Sequence, residues 1–226
     1  MIFNNFADLR AHFVDDASLT LSDAKDRFRG ESICSVALRT SDDVMGASLH
    51  CDTVERRAER LGAPSKKGFL AVLGRALTLE WCTEEWDELY TPDAPRKSTP
   101  RISYKDEFNG LMKFQGVWQS KHGCSFRLFR KHALRAMVDA LAELDRQGKF
   151  GASLEREKVV VFVEITDSYD AYFCLLESVR MLNPPAARRR FNRSFPFLMW
   201  ILLNACYGVH RLLRGRVIAG ISSDNA

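Results

Sequence analysis

Two short pairs in the chain carry metal-binding side chains, His122-x-Cys124 and Cys206-x-x-x-His210. Together they offer two thiolates and two imidazoles, the tetrahedral donor set that zinc favours, and the second pair would share one helix face. The first pair is tighter than an ordinary zinc knuckle and nothing brings the two together. Isolated thiols and surface histidines are therefore expected, and no metal. His50-Cys51-Asp52 sets a base, a nucleophile and an acid side by side. Neighbours on a strand point to opposite faces, so a hydrogen-bonded relay cannot form, and a strand running into a helix cap accounts for the triplet. Carboxylates cluster at Asp42-Asp43 and at Glu84, Glu85, Asp87 and Glu88. Such clusters are most often solvated turns or faces, and their next use is a contact patch that steers a basic partner rather than acid–base catalysis. No Gly-x-Ser-x-Gly elbow, Gly-x-Gly-x-x-Gly loop or phosphate-binding Gly-x-x-x-x-Gly-Lys motif occurs. Neither a catalytic residue nor a cofactor is expected.

These groups sit in a chain of 226 residues, 46% apolar and 27% charged, which is an ordinary globular composition and excludes a disordered or collagen-like protein. The net charge of +4 is too small to imply nucleic acid. Its distribution is uneven: from residue 186 onward there are seven arginines and one acid, Asp224. The six cysteines are scattered, and the opening MIFNNFADLR has no basic stretch ahead of an apolar one, so free thiols in a cytoplasmic protein are expected.

Hydrophobic spacing predicts an amphipathic helix from Ile2 to Val14, a short helix from Ser22 to Phe28, and a strand from Ile33 to Leu38 that turns at Thr40–Asp43 into a hairpin partner, Gly46–Cys51. Asp52 and Glu55 resemble a capping box that opens a helix to Leu61. Lys67–Leu79 and Phe108–Trp118 read as helices, and Pro92, Pro95 and Pro100 make Thr91–Pro100 a loop. The clearest helix runs from Ser125 to Gln147, with Gly148 as its stop. Its charges oppose the helix dipole, with Arg127, Arg130, Lys131 and Arg135 first and Asp139, Glu143 and Asp145 last. Those cations either pair with acids elsewhere in the fold or face an acidic partner. Lys158–Ile165 reads as a central strand, and Asp167–Asp170 caps a helix from Ala171 to Leu182 that Asn183-Pro184-Pro185 ends.

Between two arginine clusters lies Phe195–Val209, fifteen mainly apolar residues. A spanning helix needs about 18 to 20. A core or partner-docking helix, an interfacial anchor and a short tilted span are the three alternatives, and the anchor would bury Phe197, Trp200 and Leu203 with Arg211 and Arg214 on anionic lipid.

Ala140–Gly151, Arg156-Glu157-Lys158, Ile165-Thr166-Asp167 and Glu177–Pro184, with Ala37–Asp43 and Trp81–Trp86 upstream, resemble a bacterial family of unknown function, numbered forty-three-oh-three, from about Phe3 to Arg190. The resemblance implies an α+β domain, and proteins of this kind are thought to include immunity proteins that accompany toxins. The expected architecture is an α+β domain over residues 1–190, an antiparallel or mixed sheet flanked by helices, followed by an apolar, Arg-rich helical tail over 191–226. The expected function is non-enzymatic: neutralisation of a cognate toxin through Trp81, Glu84, Glu85, Trp86, Asp87 and Glu88, aromatic anchors among acids that suit a basic groove. The alternative is a membrane-associated protein held by its C-terminal segment.

Overall fold

The computed structural model describes residues 3–62, 83, 86, 104–194 and 197–219. Asn5 opens the first helix, α1 (Phe6–Arg27), by accepting the Asp8 amide proton at 2.9 Å. Leu9, Phe13, Ala17, Leu21 and Ala24 then follow at helical spacing and are buried. One helix stands where two were expected, because this stripe continues through the polar stretch between them, where Thr20 turns its hydroxyl back to the Asp16 carbonyl.

Strands β1 (Ile33–Thr40) and β2 (Ala47–Thr53) form the expected hairpin. Helix α2 (Val54–Gly62) begins one residue later than the sequence pattern places it. Thr53 supplies the cap, its hydroxyl accepting the Arg56 amide proton at 3.2 Å, while Asp52 stays on the strand in a buried ion pair with Arg57 at 3.1 Å. The predicted helix at Lys67–Leu79 and loop at Thr91–Pro100 lie outside the described residues.

After α3 (Tyr104–His122) and α4 (Phe126–Arg146), strand β3 (Val160–Ile165) pairs parallel to β1. The order is β2-β1-β3, a mixed sheet with β1 at its centre. β3 was expected there from its unbroken valine run, but that run reports burial of both faces rather than two strand neighbours. Val161, Val163 and Ile165 join the core beneath α1 and α4, whereas Val160 and Phe162 face a second cluster.

The remaining helices are α5 (Ala171–Leu182), α6 (Pro185–Arg193) and α7 (Phe197–Arg214). Helix α5 lies along the outer edge of β3 and does the work of a strand there. Asn183, just past its end, accepts from the Val161 amide at 2.8 Å and donates to the Val161 carbonyl at 2.6 Å, and Ser178 accepts from the Val163 amide at 3.0 Å. Side chains thus satisfy backbone groups that an open edge would leave unpaired. Arg156, buried, ties the same region together by donating to Asp145 at 2.6 Å and to the carbonyls of Val159 at 2.7 Å and Leu182 at 2.9 Å.

The inverted charges of α4 are largely taken up inside the fold. Arg130 pairs with Asp170 at 2.5 Å and Asp42 at 3.0 Å, and Arg135 pairs with Asp139 one turn on at 2.8 Å. Asp170 was expected to cap α5, and this ion pair engages its carboxylate instead.

Candidate binding surface

The acidic and aromatic stretch is described only at Thr83 and Trp86; Trp81, Glu84, Glu85, Asp87 and Glu88 lie outside the described residues. Trp86 is 3% exposed and meets Phe162 edge to face at 5.7 Å, so its ring serves the second core cluster. Thr83 is also buried and donates its hydroxyl to Glu164.

The other residues with chemical potential stay apart. His50 shares a hydrogen bond of 2.9 Å with Ser48, and burial with nearby Arg39 pulls its pKa down to about 4. Burial, with Asp52 beside it, pushes the Cys51 thiol up to about 12, which leaves it unreactive. Among the described residues, no group of three or more His, Cys, Asp and Glu is placed to hold a metal ion.

The C-terminal segment is docked on the domain. Glu177 of α5 is buried and accepts three hydrogen bonds, from the Tyr207 hydroxyl at 2.9 Å and from the amides of Val217 at 3.2 Å and Ile218 at 2.9 Å. Val217 and Ile218 enter the main core, and the Ala219 amide reaches the Lys131 carbonyl at 3.3 Å. Burial and the neighbouring Glu177 push the Tyr207 phenol above its ordinary pKa, so it remains a donor. The stretch Glu177–Asn183 therefore joins two structural tasks: Glu177 holds the C-terminal segment, while Ser178 and Asn183 close the sheet edge.

Docking sorts α7 into two apolar faces. Trp200, Leu203 and Tyr207 lie three to four residues apart and pack on the second core cluster, with Trp200 edge to face on Phe191 at 6.5 Å. Trp200 and Leu203, which the interfacial-anchor alternative would bury in lipid, thus face inward, as the core or docking-helix alternative has them; the side chain of Phe197 lies outside the described residues. The opposite face exposes Ile201, Leu202, Val209, Leu212 and Leu213, the last two at 88% and 79%. Arg211 and Arg214 are exposed near the end of the helix, four and seven residues past Tyr207 on the side that carries it, and Arg214 lies over the exposed ring of Tyr169 at 5.1 Å. At the other end, a cavity of about 380 Å3 between α5, α6 and α7 is walled by Arg180, Arg188 and Arg189 beside Trp200. The outer stripe was concealed in the sequence because α7 is apolar nearly all round, and periodicity cannot say which of two greasy faces turns inward. Among the described residues, no helix is long and apolar enough to cross a membrane.

The fold and this surface define an α+β domain with, among the described residues, a three-stranded mixed sheet, and with its C-terminal helix clamped on the outside. Residues 19–184 match the family model described as domain of unknown function DUF4303, and the chain belongs to that family. No curated protein and no solved structure matches it.

Proposed function

We propose that this protein is a non-catalytic binding protein of the immunity type, which neutralises a cognate toxin by covering it with the outer face of α7. The observation that carries this reading is the exposed apolar stripe of Ile201, Leu202, Val209, Leu212 and Leu213. A soluble chain rarely leaves so continuous an apolar face uncovered unless something binds there. An aliphatic stripe free of charged side chains has the character of the apolar, charge-depleted centre of an interface. The surplus of arginine after residue 186 selects a partner whose apolar patch is rimmed by acids, and such complementarity speeds encounter.

The test is rescue of growth. The toxin is the protein that co-purifies from the native host, arrests a susceptible strain when expressed alone, and is relieved by co-expression of this protein. Leu212→Glu with Leu213→Glu should abolish rescue and weaken binding at least about thirtyfold, as for loss of a buried hot spot. Full rescue by that variant would remove α7 from the contact.

The second reading, membrane association, is favoured by the projection of Leu212 and Leu213 next to Arg211, Arg214 and Arg216. Sedimentation with vesicles of phosphatidylglycerol, lost in the same double variant, supports it. Sedimentation that the variant leaves unchanged rules it out.

A further inference from the structure

At the amino ends of β1 and β3 a cleft of about 650 Å3 opens between α1, α2 and the loop that follows α4. Its volume falls within the roughly 300–1,000 Å3 of small-molecule sites. The wall is apolar, with Leu21, Ile33, Val36, Val54, Phe150 and Val159 contributing side chains from five separate stretches of the chain. Cys34 belongs to this wall, and burial raises its pKa, so it remains a neutral thiol and adds no negative charge.

The polar groups that converge on the cleft are mostly cations: Lys25, Lys149, Lys158 and Arg190. Two carboxylates share it, Glu31 and Glu155. Glu31 is already neutralised, accepting from the Thr53 hydroxyl at 2.6 Å and pairing with Arg56 at 3.0 Å. These two partners hold its carboxyl below the usual range, so it stays an engaged anion. Among the described residues the four cations make no ion pair; Lys25 donates to the Lys149 carbonyl at 2.8 Å and Arg190 to the Lys158 carbonyl. Those bonds hold two side chains in place without neutralising them, so that in this lining four cations stand against Glu155 and the already paired Glu31. Lys149 is carried by a tight loop between Gly148 and Gly151, at φ +71° and +95°. A Cβ at Gly151 would lie 2.9 Å from the Glu155 Cβ, so the loop closes on its own far side and turns Lys149 and Phe150 to the cleft.

An apolar wall beneath a positive rim matches one kind of small molecule. We infer that this cleft binds a single-chain amphipathic anion, an acyl carboxylate or an acyl chain with a phosphate head, with its chain against Leu21, Ile33 and Phe150 and its head among Lys149, Lys158 and Arg190. The site shares no residue with the exposed stripe on α7. Unlike the stripe on α7, it is concave, and its charge selects the head group.

The experiment is titration of the full chain with decanoate and decyl phosphate by calorimetry, followed by amide chemical shifts. Decanol serves as the uncharged control, and vesicles of phosphatidylglycerol as the lipid-surface arm. Binding of either anion, with shifts at Ser32, Ile33 and Gly151 and weakening as salt rises, is the expected result. Lys149→Gln with Lys158→Gln should weaken it about tenfold. Val54→Trp, at a position 45% exposed and therefore tolerant of the larger ring, should fill the cleft and abolish binding. Equal affinity for decanol, no affinity for either anion, or binding confined to vesicles would each overturn the inference. So would wild-type affinity in Val54→Trp once circular dichroism shows it folded.

Discussion

Replacing Glu177 by Gln tests what holds the C-terminal segment on the domain. One carboxylate oxygen accepts from Tyr207 and Val217, and the other from Ile218. A Gln amide can keep the first oxygen, but its NH2 group then faces the Ile218 amide, donor against donor, in a buried site. The loss of one charge-assisted bond with an unsatisfied buried donor costs about 1–3 kcal/mol. Burial of Val217 and Ile218 opposes this with roughly 3–6 kcal/mol together, so the segment stays docked most of the time. The expected result is a rise in its opening equilibrium of roughly 5- to 150-fold. Hydrogen exchange read by mass spectrometry follows it directly: amides of residues 203–219 lose protection, while those at the centre of α4 keep theirs. Tyr207→Phe removes a single hydroxyl, leaves both backbone bonds, and should shift the same peptides by about 1 kcal/mol. Unchanged protection in the Gln variant would mean that apolar packing alone holds α7 and that the clamp reasoning is wrong.

Three further positions are expected to set stability. His50 is neutral in the folded chain down to about pH 4, whereas an ordinary histidine protonates below 6.5, so stability present above pH 6.5 is lost as pH falls towards 4. The loss attributable to this residue is at most roughly 3 kcal/mol, and urea midpoints of His50→Leu should fall less steeply over that window than those of wild type. Arg156→Leu leaves the Val159 and Leu182 carbonyls without their donor and should cost about 3 kcal/mol in chemical denaturation, with Arg156→Lys recovering little, because an ammonium lacks the planar fork. Gly151→Ala combines a positive φ with a 2.9 Å approach to Glu155 and should cost about 2–3 kcal/mol in thermal unfolding. Gly148→Ala, with positive φ and open space, should cost only about 1 kcal/mol, and equal losses would show that close approach at Gly151 is relieved by a small shift.

The local alphabet of this protein was legible in its residues. A β-favoured run ending in a polar turn marked β1 and its return partner β2, a 3.6-residue stripe marked α4, and the valine run marked β3, because each pattern reflects a nearby chemical preference that the chain expresses without long-range help. The class, α+β, came from the family resemblance, and the choice between an antiparallel and a mixed sheet was made only by the parallel pairing of β3 with β1. Caps were misplaced by one residue at α2 because Asp52 and Thr53 are both good caps, and only the ion pair with Arg57 decides which one is engaged elsewhere.

What the tertiary structure alone decided concerns groups far apart in sequence. Asn183 and Ser178 look like a helix end and a small helical residue, yet they stand in for a missing strand beside β3. Glu177 looks like a surface acid until Tyr207, Val217 and Ile218 arrive from more than twenty residues away to make it the anchor of the C-terminal segment. The same packing turns Trp200 and Leu203 inward and leaves Leu212 and Leu213 in solvent. Composition and periodicity could mark that helix as apolar, but not which of its faces would be covered, since that choice is made by the surface it lands on.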